Sequence, residues 1–217
     1  MMNIVVVDLG ICNLNSVRRA VEHLGHQCDV ITKGPVPDNT KMLILPGVGA
    51  FGAASKKLQE TGLWREIQQA ADRKVGILGI CLGMQLLMTK SYEFGNHAGL
   101  DLISGEVKKI SINADNKHAR LRVPNVGWRK TILSPDLVNN REKYALLHEN
   151  YFYHVHSYHV EANNKYVLGF SHFGNQKLIS MVQKDNVWGC QFHPEKSGAA
   201  GLMLMERIIE DLGMAHD

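Results

Sequence analysis

A chain of 217 residues, 45% of them hydrophobic and 21% charged, has the size and balance of one globular domain with a substantial core. The formal net charge is only +3, and no basic run exceeds a pair such as Arg18-Arg19 or Lys108-Lys109, which argues against a nucleic-acid or membrane-surface binder. The four cysteines, Cys12, Cys28, Cys81 and Cys190, form no C-x-x-C pair, so zinc ribbons and thioredoxin-type redox are not expected.

The N-terminal apolar run carries no basic stretch ahead of it and is interrupted at Asp8. The expectation is no signal peptide, no membrane-spanning helix and a reducing, cytoplasmic setting. Asn3 to Leu9 fits a buried parallel strand. Leu14, Val17, Ala20, Val21 and Leu24 then recur at helical spacing, and Gly25 stops the helix. Gln27 to Ile31 and Met42 to Leu45 read as the next strands, the second closed by Pro46-Gly47. Ala53 to Lys74 reads as helix in two pieces broken at Gly62. Val75 to Ile80 is a fourth strand, and Leu82 to Thr89 carries helix-forming residues. This alternation predicts an α/β fold with a doubly wound, mainly parallel sheet. In the second half, Glu106 to Ile110, Tyr151 to Val155, His159 to Ala162, Tyr166 to Phe173, Ile179 to Lys184 and Val187 to Phe192 read as closely spaced strands. They predict antiparallel pairing at one side of that sheet. Gly198 to Leu212 is a closing amphipathic helix. No repeat or linker interrupts the chain, so residues 1–217 are expected to form a single domain.

Gly79-Ile80-Cys81-Leu82-Gly83 stands between a predicted strand and a predicted helix. That is the setting of a nucleophile elbow with cysteine in place of serine. The sharp turn lifts the side chain clear of the sheet, and the glycines leave room for a strained backbone. A helix N-terminus favours the thiolate, which is the reactive form. The competing reading is a buried structural cysteine at a tight turn. A cysteine nucleophile needs a base and an orienting acid. His193-Pro194-Glu195 follows a predicted strand end, where ligands gather in open α/β sheets. His193 is placed to act as base, with Glu195 holding one tautomer.

Gly47-Val48-Gly49-Ala50-Phe51-Gly52 matches the dinucleotide-binding fingerprint. A dinucleotide site also needs an acid at the end of the next strand, and that strand ends at Cys81. The loop has another use: its backbone N–H groups, with that of Leu82, are placed to turn toward an oxyanion. His154, His156 and His159 suggest metal ligands, with the first two on one face of a strand and the third pointing away. No carboxylate or cysteine joins them at ligand spacing, so a turn at His156-Ser157-Tyr158 lining a substrate cleft is the preferred reading.

Gly79-Ile80-Cys81-Leu82-Gly83-Met84-Gln85-Leu86-Leu87, Pro46-Gly47-Val48-Gly49-Ala50-Phe51 and Gln191-Phe192-His193-Pro194-Glu195 together resemble the class I (triad) glutamine amidotransferases, over nearly the whole chain. Within that family the chain looks most like the glutaminase subunits of imidazole glycerol phosphate synthase. The similarity rests on the opening Asp8-Leu9-Gly10-Ile11-Cys12-Asn13-Leu14-Asn15-Ser16-Val17, on Pro124-Asn125-Val126-Gly127-Trp128 and on Val155-His156-Ser157-Tyr158. The resemblance implies Cys81 as nucleophile, His193 as base and Glu195 as orienter. It implies Val48, Gly49 and Leu82 at the oxyanion hole, and Gly47, Gln85, Glu93, Ser157 and Tyr158 bordering the glutamine. It implies hydrolysis of glutamine to glutamate and ammonia without metal or organic cofactor, and a (β/α)8-barrel cyclase partner in a heterodimer that receives the ammonia.

The chain departs from the family pattern outside the catalytic set. Asn125 stands where histidine is usual, Arg129 where asparagine is, Leu9 for tyrosine, Cys12 for glycine and His154 for an aromatic residue. Arg129 brings a charge that a partner surface would answer with an acid or a phosphate. The segment Tyr92 to Leu100 is similar to a paralogous branch that supplies ammonia for amidino sugars of surface polysaccharides. These two branches share the catalytic residues and differ in the acceptor.

Overall fold

The computed structural model describes residues 2–10, 13–111 and 121–214; Cys12, one of the departures above, lies outside the described residues. The first half alternates as β1 (Asn3–Val7), α1 (Leu14–His23), β2 (Gln27–Ile31), β3 (Met42–Gly47), α2 (Phe51–Glu60), α3 (Leu63–Asp72), β4 (Gly76–Cys81) and α4 (Leu82–Leu86). It continues through β5 (Met88–Ser91), β6 (His97–Ala98), β7 (Ile103–Lys109), β8 (Asn125–Leu133), α5 (Pro135–Asn140), β9 (Tyr151–His156) and β10 (Tyr158–Ala162). β11 (Val167–Phe173), β12 (Gln176–Lys184), β13 (Val187–Cys190) and α6 (Gly198–Met214) complete the chain.

One nine-stranded sheet runs in the order β2-β1-β3-β4-β13-β12-β11-β8-β9. Its first five strands pair in parallel and the remaining neighbours pair antiparallel. This is the doubly wound, mainly parallel sheet with antiparallel strands from the C-terminal half. The pleat sorts its side chains by residue parity. Val5, Val7, Leu43, Leu45 and Ile77 face one core with α2, α3 and α4. Ile4, Val6, Met42, Ile44, Leu78 and Ile80 face the other with α1 and α6. The central strands are therefore apolar on both faces, which is why they read as unbroken apolar runs. Gly62 divides α2 from α3 by taking φ +77, a left-handed conformation open to glycine, and its N–H returns to Gln59 O at 3.2 Å.

Two expectations need correction. Leu82 to Thr89 is not one helix: α4 stops at Leu86 and Met88–Ser91 becomes β5. β5 pairs in parallel with β7, and tertiary pairing here overrides the helix propensity of Met-Gln-Leu-Leu-Met. The antiparallel strands also do not all join one sheet. β10, β7, β5 and β6 form a separate four-stranded sheet. Its buried side chains Met88, Ile103, Val107 and Val160 close the core on the α2–α3 side. β8 has no counterpart in the sequence reading, because Asn125, Arg129 and Lys130 break its apolar signal.

Candidate active site

Cys81 ends β4 and stands at the N-cap of α4 with φ 56° and ψ −109°. Side chains seldom adopt that conformation, and holding one there costs about 1–3 kcal/mol. The packing that enforces it needs the flanking glycines. A Cβ on Gly79 would lie 2.7 Å from the backbone of Gly83, and one on Gly83 would lie 1.6 Å from Leu45 O. The turn is thus clamped between its own first helical residues and β3. The five-residue α4 is shorter than expected, and the Cys81 thiol itself donates to Val155 O at 3.8 Å.

His193 lies three residues beyond β13, which ends at Cys190 rather than at Phe192. Its backbone is pinned on both sides. Its N–H donates to Tyr153 O at 2.9 Å, and its carbonyl accepts from Ser197 Oγ at 2.6 Å. His193 Nδ1 meets Glu195 Oε1 at 2.8 Å, with both side chains almost fully buried. A carboxylate accepts, so the pair places a proton on Nδ1 and leaves Nε2 on the side of Cys81. Nε2 is buried and completes no hydrogen bond with a protein group. Burial alone would lower the imidazole pKa. The Cys81 and Glu195 groups outweigh burial and push it up to about 10. The imidazole can therefore carry a proton for a departing amine at neutral pH.

Cys81 opens onto a cavity of about 250 Å³ that also takes in Val48, Gly49, Leu82, Gln85, Glu93, Ser157 and Tyr158. Of the residues that the resemblance implies for catalysis, the oxyanion hole and glutamine, all border this space except His193, Glu195 and Gly47. Gly47 belongs to the β3 end, where a Cβ would come within 3.1 Å of Leu82 Cβ. Gly49 has φ +98, and Glu93 Oε2 accepts from Phe51 N at 2.5 Å, at the start of α2. That bond commits one Glu93 oxygen to the helix start. Of the fingerprint glycines, Gly52 packs against the His97 side chain, where a Cβ would meet Cε1 at 2.6 Å unless the ring turned aside.

His154 and His156 do converge, with Nδ1 of the first 3.2 Å from Nε2 of the second, and His159 is not part of that contact. Among the described residues no group of three His, Cys, Asp or Glu side chains is arranged to hold a metal. Arg129 is answered within this chain. Nε donates to Asn125 Oδ1 at 2.8 Å, and the Nη atoms reach Val126 O and Trp128 O at 3.3 and 3.4 Å. Three contributors escaped the sequence reading. Pro124 and Val155 border the cavity, and Gln191 places Nε2 3.9 Å from Cys81 Sγ. Gln191 sits two residues before His193, and that proximity was the available signal.

Residues 5–209 match the family model for glutamine amidotransferase class-I. The chain is 38% identical to the imidazole glycerol phosphate synthase subunit HisH of Carboxydothermus hydrogenoformans, over 96% of this chain and 99% of that protein. It is 40% identical to the subunit of the same name from a Geobacillus species, over 96% and 98% of the two chains. In fold it is similar to a solved glutamine amidotransferase, with a TM-score of 0.73 and 18% identity over 96% and 98% of the two chains. PurLQS from Thermotoga maritima gives a TM-score of 0.71 with 19% identity over 97% and 99%.

Proposed function

Since the chain belongs to the class-I glutamine amidotransferases, a family of glutamine-hydrolysing enzymes, we propose that Cys81, His193 and Glu195 carry out that hydrolysis as a catalytic triad. The observation that carries this assignment is the strained Cys81 on the cavity floor, backed by the His193–Glu195 pair at 2.8 Å. The Cys81 thiolate attacks the side-chain amide carbon of glutamine. Backbone N–H groups of Val48, Gly49 and Leu82 stabilise the oxyanion, each such donor contributing about 3 kcal/mol in the transition state. The C–N bond breaks as His193 gives its proton to nitrogen, and ammonia leaves a thioester on Cys81. Water then adds with His193 as base, the C–S bond breaks, and glutamate departs. Gln85, Glu93, Ser157 and Tyr158 hold the amino-acid end of the substrate.

The chain is the glutaminase subunit of an imidazole glycerol phosphate synthase, supported by relatives of that name along nearly its full length. Its ammonia passes to a cyclase subunit of (β/α)8-barrel fold, docked as a heterodimer. Ammonia released into bulk water would be protonated and diluted, and a docked acceptor avoids both losses. Val48, Val126 and Trp128 are large, exposed apolar side chains on segments beside the cavity, which suits a face covered by a partner. The test is Cys81→Ala: glutamate release is lost while the partner still binds. Retained hydrolysis in that variant sinks the assignment.

A further inference from the structure

β9 is the last strand of the nine-stranded sheet, so no further strand takes the outward N–H and C=O of Tyr153. The segment that carries His193 takes them instead. In an antiparallel ladder a hydrogen-bonded pair of residues exchanges two direct N–H···O bonds. His193 and Tyr153 make only one of the two, with His193 N–H donating to Tyr153 O at 2.9 Å. A hydroxyl is spliced into the other. Tyr153 N–H donates to Ser197 Oγ at 3.0 Å, and that hydroxyl donates to His193 O at 2.6 Å.

The place demands one atom that accepts from an N–H and donates to a carbonyl, which is the property of a hydroxyl. Ser197 is buried, and its own backbone holds that hydroxyl in register. Ser197 N–H donates to Pro194 O at 3.0 Å, and its carbonyl accepts from Gly201 N at 3.2 Å in the first turn of α6. A Cβ on Gly201 would lie 1.9 Å from Pro194 O, so α6 sits directly against the turn. His193 O also accepts from Lys196 N at 3.1 Å, closing the single 3-10 turn Pro194–Lys196 that contains Glu195. Both members of the His193–Glu195 pair therefore stand on one short turn, fastened to β9 by one backbone bond and one hydroxyl bridge.

We propose that Ser197 is a positioning residue for the base: its hydroxyl fastens the His193–Glu195 turn to β9 and so fixes the imidazole with respect to Cys81. Ser197 does not border the cavity, so it acts through His193 and not on the substrate. Without the hydroxyl, the Tyr153 N–H loses its partner and His193 O loses one of two donors. A buried polar group left unsatisfied is costly, and here the two strands can relieve it only by drawing together or by parting. Either movement turns the imidazole. The kinetic part of the proposal rests on the reading of His193 as base.

The test compares the full chain with Ser197→Ala, Ser197→Cys and Ser197→Thr, each assayed well below its own Tm. The readouts are glutamate release, resolved into kcat and KM, and the His193 Nδ1 proton resonance in protein labelled with 15N in histidine. In the parent that proton is donated to Glu195 Oε1 and resonates far downfield. Ser197→Ala is expected to lower kcat at least about tenfold, toward the roughly 100-fold that a 1 Å misplacement costs, with KM unchanged and the Nδ1 resonance moved upfield. Ser197→Cys keeps the bulk of the side chain but is a weak donor and acceptor, so it should lose kcat in the same way even if the alanine variant fails to fold. Ser197→Thr keeps the hydroxyl and restores both readouts. Parental kcat in the alanine or cysteine variant overturns the proposal, as does an unmoved Nδ1 resonance or a Ser197→Thr protein that regains Tm but not kcat. If His193→Ala hydrolyses glutamine at the parental rate, the base assignment fails alone, because the Nδ1 resonance tests the clamp without reference to catalysis.

Discussion

Gly83→Ala separates two forces of opposite sign. Gly83 lies within α4, where alanine is the better helix former by about 1 kcal/mol. Propensity alone therefore predicts a more stable protein. The added Cβ, however, would lie 1.6 Å from Leu45 O, whereas a carbon–oxygen contact is relaxed only beyond about 3.3 Å. Leu45 is a β3 residue paired with Gly79 of β4, so the obstacle is sheet backbone and has no rotamer to change. Overpacking that forces backbone shifts costs about 1–3 kcal/mol, and this contact belongs at the upper end. The net loss is about 2 kcal/mol, or roughly 4–8 °C in Tm for a chain of this length. The elbow must move with α4, and a displacement near 1 Å at the reacting atom costs about 100-fold in rate. Gly52→Ala is the matched control. It adds the same methyl group to a helix, but against the edge of the half-buried His97 ring, which can turn aside. It should stay within about 1 kcal/mol of the parent. Urea unfolding and glutamate release measure both variants. A Gly83→Ala protein as stable and as active as the parent would refute the claim that β3 clamps the nucleophile.

Three further outcomes are expected. His193 has its pKa raised in the folded state to about 10 from an ordinary value of 6.5, so its protonation stabilises the fold fully below pH 6.5 and progressively less up to pH 10. The Tm gap between the parent and His193→Gln should narrow across that window, and a pH-independent gap would count against the coupling. Alkylation at pH 7 should mark Cys81 ahead of Cys28 and Cys190, because burial pushes the Cys28 thiol up to about 11 and the Cys190 thiol higher still; mass spectrometry showing Cys190 labelled first would contradict this. Glutamate release should rise severalfold when the synthase subunit and its ligand are added, if the Val48–Gly49 loop, proposed to donate to the oxyanion, is biased by the partner. Equal rates with and without the partner would leave simple constitutive hydrolysis.

The central architecture was legible because its physics is local. β1, β3 and β4 are buried on both faces, which produces apolar runs bounded by glycine and proline. The strained turn at Cys81 was legible because such a turn needs glycines within two residues, so the steric requirement is written beside Cys81 itself. β8 was not legible, since it exposes Val126, Trp128 and Lys130 while its buried positions include Asn125 and Thr131. Only pairing with β9 and β11 makes it a strand. β5 was hidden by helix-forming residues. The helix α5 was missed although Ser134-Pro135 marks its start, with Ser134 Oγ accepting from Leu137 N at 3.3 Å.

Of the strands that wall the cavity, β9 and β10 read as strands in the sequence and β8 does not, and the reason lies in what β8 buries. Cys81 comes from the parallel half, whose strands must be apolar to be buried twice. The cavity in front of it is walled by Pro124 ahead of β8, by Val155 and His156 at the end of β9, and by Ser157 and Tyr158 leading into β10. β9 belongs to the large sheet and β10 to the small one, so Ser157 marks the point where the chain crosses between sheets. His156 lines that wall, and buried His154 and Asn125 hydrogen-bond to its ring. In β8 the buried Asn125 and Thr131 erase the period-two apolar signal by which a strand is recognised. β8 is thus hard to read because its partners are distant in sequence, whereas the Cys81 turn, governed by steric demands a few residues long, stays plain in the sequence.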